Sequence, residues 1–107
     1  MKDGRKSYRR IGAVVKTIQI LRYLAEQRGP VSGADAARAL ELPVGTVMCH
    51  LVTLEDDRLV RRIGEHWELG DGMAIFWARR KANLEAGIER MKDDLRDIGV
   101  TRAEAQG

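Results

Sequence analysis

The stretch that most constrains the fold is residues 31–54, VSGADAARALELPVGTVMCHLVTL, in which two short helical patterns flank a tight break. Ser32 can cap the first helix, and Asp35 stands in its first turn, where a carboxylate is favoured. Pro43 limits that helix because the residue before a proline is pushed out of the α region. The same proline can occupy the first position of a second helix, over about residues 43–56. The stretch therefore predicts two helices joined by a tight corner.

The second of these helices separates apolar from small and polar residues in a way that suits DNA reading. Val47, Leu51 and Leu54 recur at intervals of four and three, which places them on one buried face. A helix that is anchored on one face and carries small side chains on the other can approach base edges closely. An ordinary two-helix corner in a small helical domain is the alternative. The base-proximal candidates are Gly45, Thr46, Cys49 and Thr53, and Ser32 begins a helix whose first N–H groups suit a phosphate.

Positive charge is concentrated at the N-terminus. The net charge is only +3, but five basic residues against one acidic residue give +4 in the first ten positions, so the other 97 residues sum to −1. Residues 1–10 are therefore predicted to form a flexible basic arm that reaches for phosphates or a minor groove. A solvated terminus without a specific role is the alternative. The arm candidates are Arg5, Lys6, Arg9 and Arg10.

Length and composition limit the class of protein. A chain of 107 residues is expected to form one domain with a modest core. Its single cysteine excludes an internal disulfide and fits a reducing compartment. No apolar run approaches the roughly 20 residues of a membrane span, and the start is too polar for a secretory signal. These features predict a cytoplasmic protein that does not bind membranes.

The segment before the central stretch predicts a first helix over about residues 13–27. Val14, Ile18, Leu21 and Ala25 define the face expected to enter the core, with Leu24 beside it. A glycine and a proline at positions 29 and 30 end this helix. The residue that follows, at position 31, is expected to form a very short strand against a later hairpin.

After the central stretch the pattern changes from helical to alternating. Residues 59–63 and 66–69 alternate around a two-residue turn that begins with Gly64, as suits a type II′ hairpin. Trp67 and Leu69 are expected to face the helices. At least one of Arg61 and Arg62 must then point outward to solvent or phosphate. Three helices and a hairpin predict a mainly α fold with a small β-hairpin, a winged helix-turn-helix at residues 11–70 whose wing contacts the DNA backbone.

Eight short motifs follow one another in order along this domain. They are Ile20-Leu21, Gly29-Pro30-Val31-Ser32, Ala39-Leu40, Leu42-Pro43, Thr46-Val47, Thr53-Leu54-Glu55, Leu59-Val60 and Trp67-Glu68-Leu69-Gly70. The ordered set resembles the N-terminal winged-helix domain of the IclR family of bacterial transcriptional regulators. The resemblance implies a regulator that binds double-stranded DNA.

The sequence also departs from that family. Cys49 and His50 stand where the family usually has arginine and leucine, and Arg58 stands where it favours glycine in the turn. Loss of an arginine removes a phosphate or guanine contact. A phage or prokaryotic assembly or adaptor module that binds protein through the winged fold is therefore the alternative function. Family members continue into a large effector-binding domain, and none is expected here, so small-molecule sensing by that route is not implied.

The last third of the chain predicts a long helix over residues 71–98. Apolar residues recur from Ala74 to Ile98 at alternating spacings of three and four, which are positions a and d of a heptad, with Lys81 at one a position. Arg80 and Glu85 at g and the following e favour a parallel partner. The stripe predicts a homodimer that forms through this helix. The alternative is that the helix packs on its own domain, with the tryptophan of the stripe covering the core. Residues 99–107 are predicted to be a disordered tail. The dimerisation candidates are Trp77, Leu84, Ile88, Met91, Leu95 and Ile98.

Catalytic chemistry finds no support in the sequence. His50 and His66 belong to different elements, and Cys49 lies about 100° from His50 around its helix, so the two do not pair. The histidines and the cysteine show no metal-ligand spacing, and no glycine-rich phosphate loop is present. No catalytic residue, metal or cofactor is therefore expected.

Overall fold

The computed structural model describes the backbone of residues 7–106 and the side chains of residues 7–99. The described residues form a mainly helical fold with a small antiparallel sheet, and the predicted winged helix-turn-helix is confirmed. The chain divides after Met73 into two compact units. The elements are α1 (Gly12–Glu26), β1 (Val31–Ser32), α2 (Gly33–Leu40), α3 (Val44–Asp56), β2 (Val60–Ile63), β3 (His66–Leu69) and α4 (Asp71–Gln106).

The sheet has the strand order β1-β3-β2 and is antiparallel throughout. β2 and β3 form the wing, a two-residue hairpin in which Ile63 lies opposite His66. Gly64 has a φ of +62°, the sign that a type II′ turn requires at its first loop position. Val31 pairs with Trp67, so the predicted pairing of a very short strand with the hairpin is confirmed.

The core lies where α1, α2, α3 and the wing meet. Trp67 is 2% exposed and is the largest side chain in it. The predicted buried face of α3 is confirmed, because Val47, Leu51 and Leu54 all lie in this cluster. The other buried apolar residues are Ile20, Leu24, Ala36, Ala37 and Val60.

The buried face of α1 differs from the predicted one. Ile20 and Leu24 enter the core, whereas Val14 is 50% and Ile18 is 44% exposed, and Ala25 is exposed as well. The helix is therefore rotated by roughly 100° from the expected orientation, at 3.6 residues per turn. Apolar residues cover more than one face of α1, so periodicity alone did not decide which face packs.

The connection between α2 and α3 also differs in detail from the prediction. α2 ends because Glu41 adopts the left-handed conformation, with φ 56° and ψ 45°. The Leu42 N–H then donates to the Ala37 carbonyl at 2.9 Å, and the Glu41 N–H donates to the Arg38 carbonyl at 3.3 Å. This pair of bonds is a Schellman cap, which satisfies carbonyls that the helix end leaves open. Pro43 is the N-cap of α3 rather than its first helical residue.

The wing is joined to the start of α4 by close backbone packing. Arg58 has a φ of 60°, and its carbonyl accepts a hydrogen bond from the Gly72 N–H at 2.8 Å. A Cβ at Gly70 would lie 2.3 Å from the Arg58 carbonyl oxygen, and one at Gly72 would lie 2.6 Å from it. Both positions therefore require glycine because of this close approach.

α4 is a single helix of 36 residues, about 54 Å long at 1.5 Å per residue. It continues to Gln106, past the expected end at Ile98. The disordered tail expected over residues 99–107 stays a prediction. Residues 101–106, TRAEAQ, contain no proline or glycine and are rich in good helix formers, which explains the extension. Trp77 is 74% exposed. In the part of the chain that the structure describes, no helix is both long and apolar enough to cross a membrane.

Candidate nucleic-acid interface

α3 presents its predicted reading face on the outside of the winged-helix unit. Gly45, Cys49 and Thr53 are exposed, and Thr46 is half-buried near the start of the helix. Val52 lies among them with 44% of its surface exposed. The packing of the opposite face into the core fixes this orientation. The structure therefore brings all four base-proximal candidates to the outer side of one helix.

Hydrogen bonds within α3 limit what this face can offer. The Thr53 hydroxyl donates to the Cys49 carbonyl at 2.7 Å, one turn earlier in the helix. Its proton is thereby engaged, and the side chain presents an acceptor oxygen and a methyl group. Cys49 is a free and exposed thiol. The face thus carries small, mostly apolar groups with few free donors.

A polar contact between α1 and α3 lies beside this face, and no sequence pattern signalled it. His50 Nδ1 and the Thr17 hydroxyl are 2.7 Å apart, although the residues are 33 positions apart in sequence. Thr17 also donates to the Ala13 carbonyl at 2.9 Å. Because a threonine hydroxyl has only one proton, the His50 Nδ1 is the donor to Thr17 when that bond is made. His50 therefore fixes α1 against α3.

An open groove runs along the same boundary between α1 and α3. Cys49 and Thr53 form part of its wall, so these two candidates border α1 as well as solvent. Most of its lining is apolar side chain and methyl group. The remaining lining residues are Ala13, Val14, Thr17, His50 and Leu54.

Both wing arginines are exposed and each is paired with a carboxylate. Arg61 forms an ion pair with Glu68 on the neighbouring strand, and its side chain is 58% exposed. Arg62 lies 3.3 Å from Glu55 in the last turn of α3, and its guanidinium stands 4.3 Å above the Trp67 ring. Arg62 therefore ties the wing to the end of α3 and covers the core tryptophan.

The start of α2 keeps the arrangement expected of an anion-binding helix end. Ser32 caps the helix by accepting a hydrogen bond from the Asp35 N–H at 3.0 Å. The N–H groups of the first turn before Asp35 have no partner within the helix. Such groups suit a phosphate oxygen, although Asp35 adds a negative charge near them.

The remaining cationic candidates lie on the arm. Arg9 and Arg10 are exposed, whereas Arg5 and Lys6 lie outside the described residues. α3 itself contains no lysine or arginine, and residues 55–57, EDD, make its C-terminal end acidic. The reading face of α3 therefore carries no positive charge of its own.

The predicted dimerisation residues form an apolar stripe along α4. Trp77 is the most exposed of them at 74%, and Ile88 is the least exposed at 47%. Each side chain of this row is thus about half exposed or more, and a contiguous row of exposed apolar side chains is typical of an interaction surface. Its other members, Leu84, Met91, Leu95 and Ile98, are between 50% and 68% exposed.

The positions of the histidines and the cysteine bear on whether they could be metal ligands. Among the residues that the structure describes, no group of three or more His, Cys, Asp or Glu side chains could hold a metal ion. His50 is engaged with Thr17 rather than with Cys49.

The winged-helix unit matches a known family of domains. The family model described as the IclR helix-turn-helix domain matches residues 13–64. This range covers α1 from its second residue, then β1, α2, α3 and the first strand of the wing. No curated protein shows significant similarity to the chain.

Proposed function

Residues 13–64 form an IclR helix-turn-helix domain, the DNA-binding domain of a family of transcription regulators, and we propose that this protein binds specific DNA sequences as a dimer. In this proposal α3 enters the major groove, the wing and the arm contact the sugar–phosphate backbone, and α4 joins two copies. The observation that carries it is the exposed, uncharged face of α3, held outward by a buried opposite face in a domain of this family.

The side chains of that face suit apolar and shape-based readout. Gly45 lets the first turn of α3 approach the duplex closely. Val52 and the Thr53 methyl group can contact thymine methyl groups, and the Thr46 hydroxyl can donate to or accept from a base edge. Without an arginine on α3, a bidentate contact to guanine is not available from this helix. We therefore propose that thymine-rich positions contribute most of the specificity.

Affinity is then supplied mainly by the arm. Arg61 and Arg62 must exchange a carboxylate partner for a phosphate when they contact DNA. That exchange reduces the net gain, and the covering of Trp67 by Arg62 adds a structural cost to moving it. Arg9 and Arg10 are exposed, and among the carboxylates of residues 7–99 none pairs with them and would have to be exchanged for a phosphate. Binding is expected to be modest and strongly dependent on salt.

The arm is tested by replacing Arg5, Lys6, Arg9 and Arg10 with alanine. Binding to all sequences is expected to weaken, and the slope of log K against log salt is expected to flatten by about 0.9 for each phosphate that the arm no longer neutralises. Gel shifts or fluorescence anisotropy over a salt series measure both. Alanine at Arg28, Arg79, Arg90 and Arg96 removes the same charge elsewhere and is the control. An unchanged slope would remove the arm from the mechanism, and no binding to genomic fragments at low salt would favour the protein-interaction alternative.

The approach of α3 is tested by Gly45→Ala. A Cβ at this exposed position meets nothing within 4 Å, so the fold should gain up to about 1 kcal/mol from the better helix former. If Gly45 lies against the duplex, the same methyl group should weaken specific DNA binding about tenfold or more. Thermal unfolding and DNA titration separate the two effects.

Gly99→Ala, which also meets nothing within 4 Å, is the control that should leave affinity unchanged. Because Gly45→Ala is expected to stabilise the fold, a loss of binding by that variant cannot be attributed to unfolding. Equal or tighter binding by Gly45→Ala would show that this turn does not approach the DNA.

A further inference from the structure

We infer that the apolar stripe of α4 binds the α4 of a second copy of this chain in antiparallel orientation, with the two-fold axis at residue 86. The inference rests on the proposed dimer and deepens it by naming the orientation and register. In this register Leu84 lies opposite Ile88 of the partner subunit, and Trp77 lies opposite Leu95 of the partner subunit. The whole stripe over residues 74–98 is then covered, because its midpoint is residue 86.

The charge within the stripe favours this orientation. Lys81 is the one charged residue at an a or d position between Ala74 and Ile98. In a parallel, in-register pair it would face Lys81 of the partner subunit, so two like charges would meet inside the seam. In the antiparallel register it lies opposite Met91 of the partner subunit. Its aliphatic stem can then pack on the thioether while the ammonium group reaches solvent.

A glycine at the middle of the stripe supports the same register. Gly87 lies inside α4, where it costs about 1 kcal/mol relative to alanine. Its own chain gives no reason for it, since an added Cβ would meet only the Arg90 Nη2 atom, at 3.6 Å. In the antiparallel register Gly87, at a g position, meets Gly87 of the partner subunit beside the two-fold axis. Two glycines at that point allow the helices to approach closely.

The flanking charges are the last element of the argument. In the antiparallel register Arg80 and Asp94 of the partner subunit are neighbours at g positions along the same edge of the seam, two residues from direct opposition, and the two-fold axis makes two such pairs. The same register also places Glu85 near its own copy, but at the exposed rim, where salt screens the repulsion. In a parallel pair of helices, Arg80 would instead form an ion pair with Glu85 of the partner subunit. The charged residues at the e and g positions therefore favour neither orientation. Lys81 and Gly87 decide between the two.

A charge exchange tests the orientation. Arg80→Glu is expected to weaken the dimer about tenfold, because the new carboxylate of each copy is then a neighbour of Asp94 of the partner subunit. Adding Asp94→Arg should restore the original dissociation constant by reversing both charges. Adding Glu85→Arg instead should not restore it. Analytical ultracentrifugation of the full chain measures all of these constants, and rescue by Glu85→Arg rather than Asp94→Arg would overturn the antiparallel arrangement.

A distance measurement gives an independent test. Asp97→Cys in a Cys49→Ser background, carrying a spin label, should show labels about 33 Å apart along the axis, because residue 97 lies opposite residue 75. A parallel pair would place the labels within about 20 Å, since the helix axes are only about 8–10 Å apart. Ala86→Cys is the control, because the two labels then lie at the same height along the helix axes in both orientations. A short distance at residue 97 overturns the orientation alone, whereas a monomeric mass overturns the proposed dimer itself.

Discussion

Leu84→Asp is expected to convert the protein into monomers and to abolish tight binding to a two-part DNA site. In the proposed dimer this side chain lies near the centre of the seam, and two aspartates would enter it in symmetric positions. A buried, unpaired carboxylate costs several kcal/mol, so dimerisation should weaken by about a thousandfold, or on the order of 4 kcal/mol. Light scattering gives the mass, and DNA titration gives the lost avidity.

Asn83→Asp is the matched control for this experiment. It adds the same charge one residue away, at an exposed c position outside the seam. We expect it to remain dimeric with unchanged DNA binding. A Leu84→Asp variant that keeps the dimer mass would place the association surface elsewhere, and the half-exposed Val14 and Ile18 of α1 would be the next candidates.

Gly70→Ala is expected to produce a large loss of stability in the winged-helix unit. Its Cβ would lie 2.3 Å from the Arg58 carbonyl oxygen and 3.1 Å from the carbonyl carbon of Val60. These are backbone atoms of the turn and of β2, so the added methyl cannot be accommodated by a side-chain rotation. The expected cost is about 3 kcal/mol, near the upper end for overpacking. The midpoint of thermal unfolding should therefore fall by roughly 12–24 °C for a unit of this size.

Gly29→Ala is the control, because a Cβ there meets nothing within 4 Å and its φ is not positive. Thermal unfolding followed by circular dichroism gives the midpoint of each variant for comparison with the parent protein. An unfolding midpoint for Gly70→Ala within about 2 °C of the parent, well inside the shift expected for a domain of this size, would mean that the wing and the start of α4 do not approach so closely.

Local chemistry accounts for the features that the sequence predicted correctly. Ser32 caps α2 through the Asp35 N–H, as expected from an N-cap serine followed by an acidic first turn. The spacing of Val47, Leu51 and Leu54 defined the buried face of α3, and this in turn defined its outer face. These elements are specified by neighbours within one or two turns, so sequence spacing carries the information.

Other features depend on contacts between distant parts of the chain. The orientation of α1 was predicted wrongly because Val14 and Ile18 match helical spacing as well as Ile20 and Leu24 do. At least one wing arginine was expected to point outward, and both do, but their pairing with carboxylates of α3 and β3 was not expected. Contact of α3 and the arm with DNA, and contact of the α4 stripe with a second copy, stay predictions.

By itself the sequence determined which segments are helices and strands, which side of α3 is apolar, and where a long heptad stripe begins. These properties follow from residue spacing and from capping and turn residues, which act over a few positions. Only the tertiary structure decided which face of α1 is buried, that His50 contacts Thr17, and that Gly70 must lack a side chain. Those outcomes depend on which surfaces meet after the chain folds back on itself, and sequence spacing contains no record of that meeting.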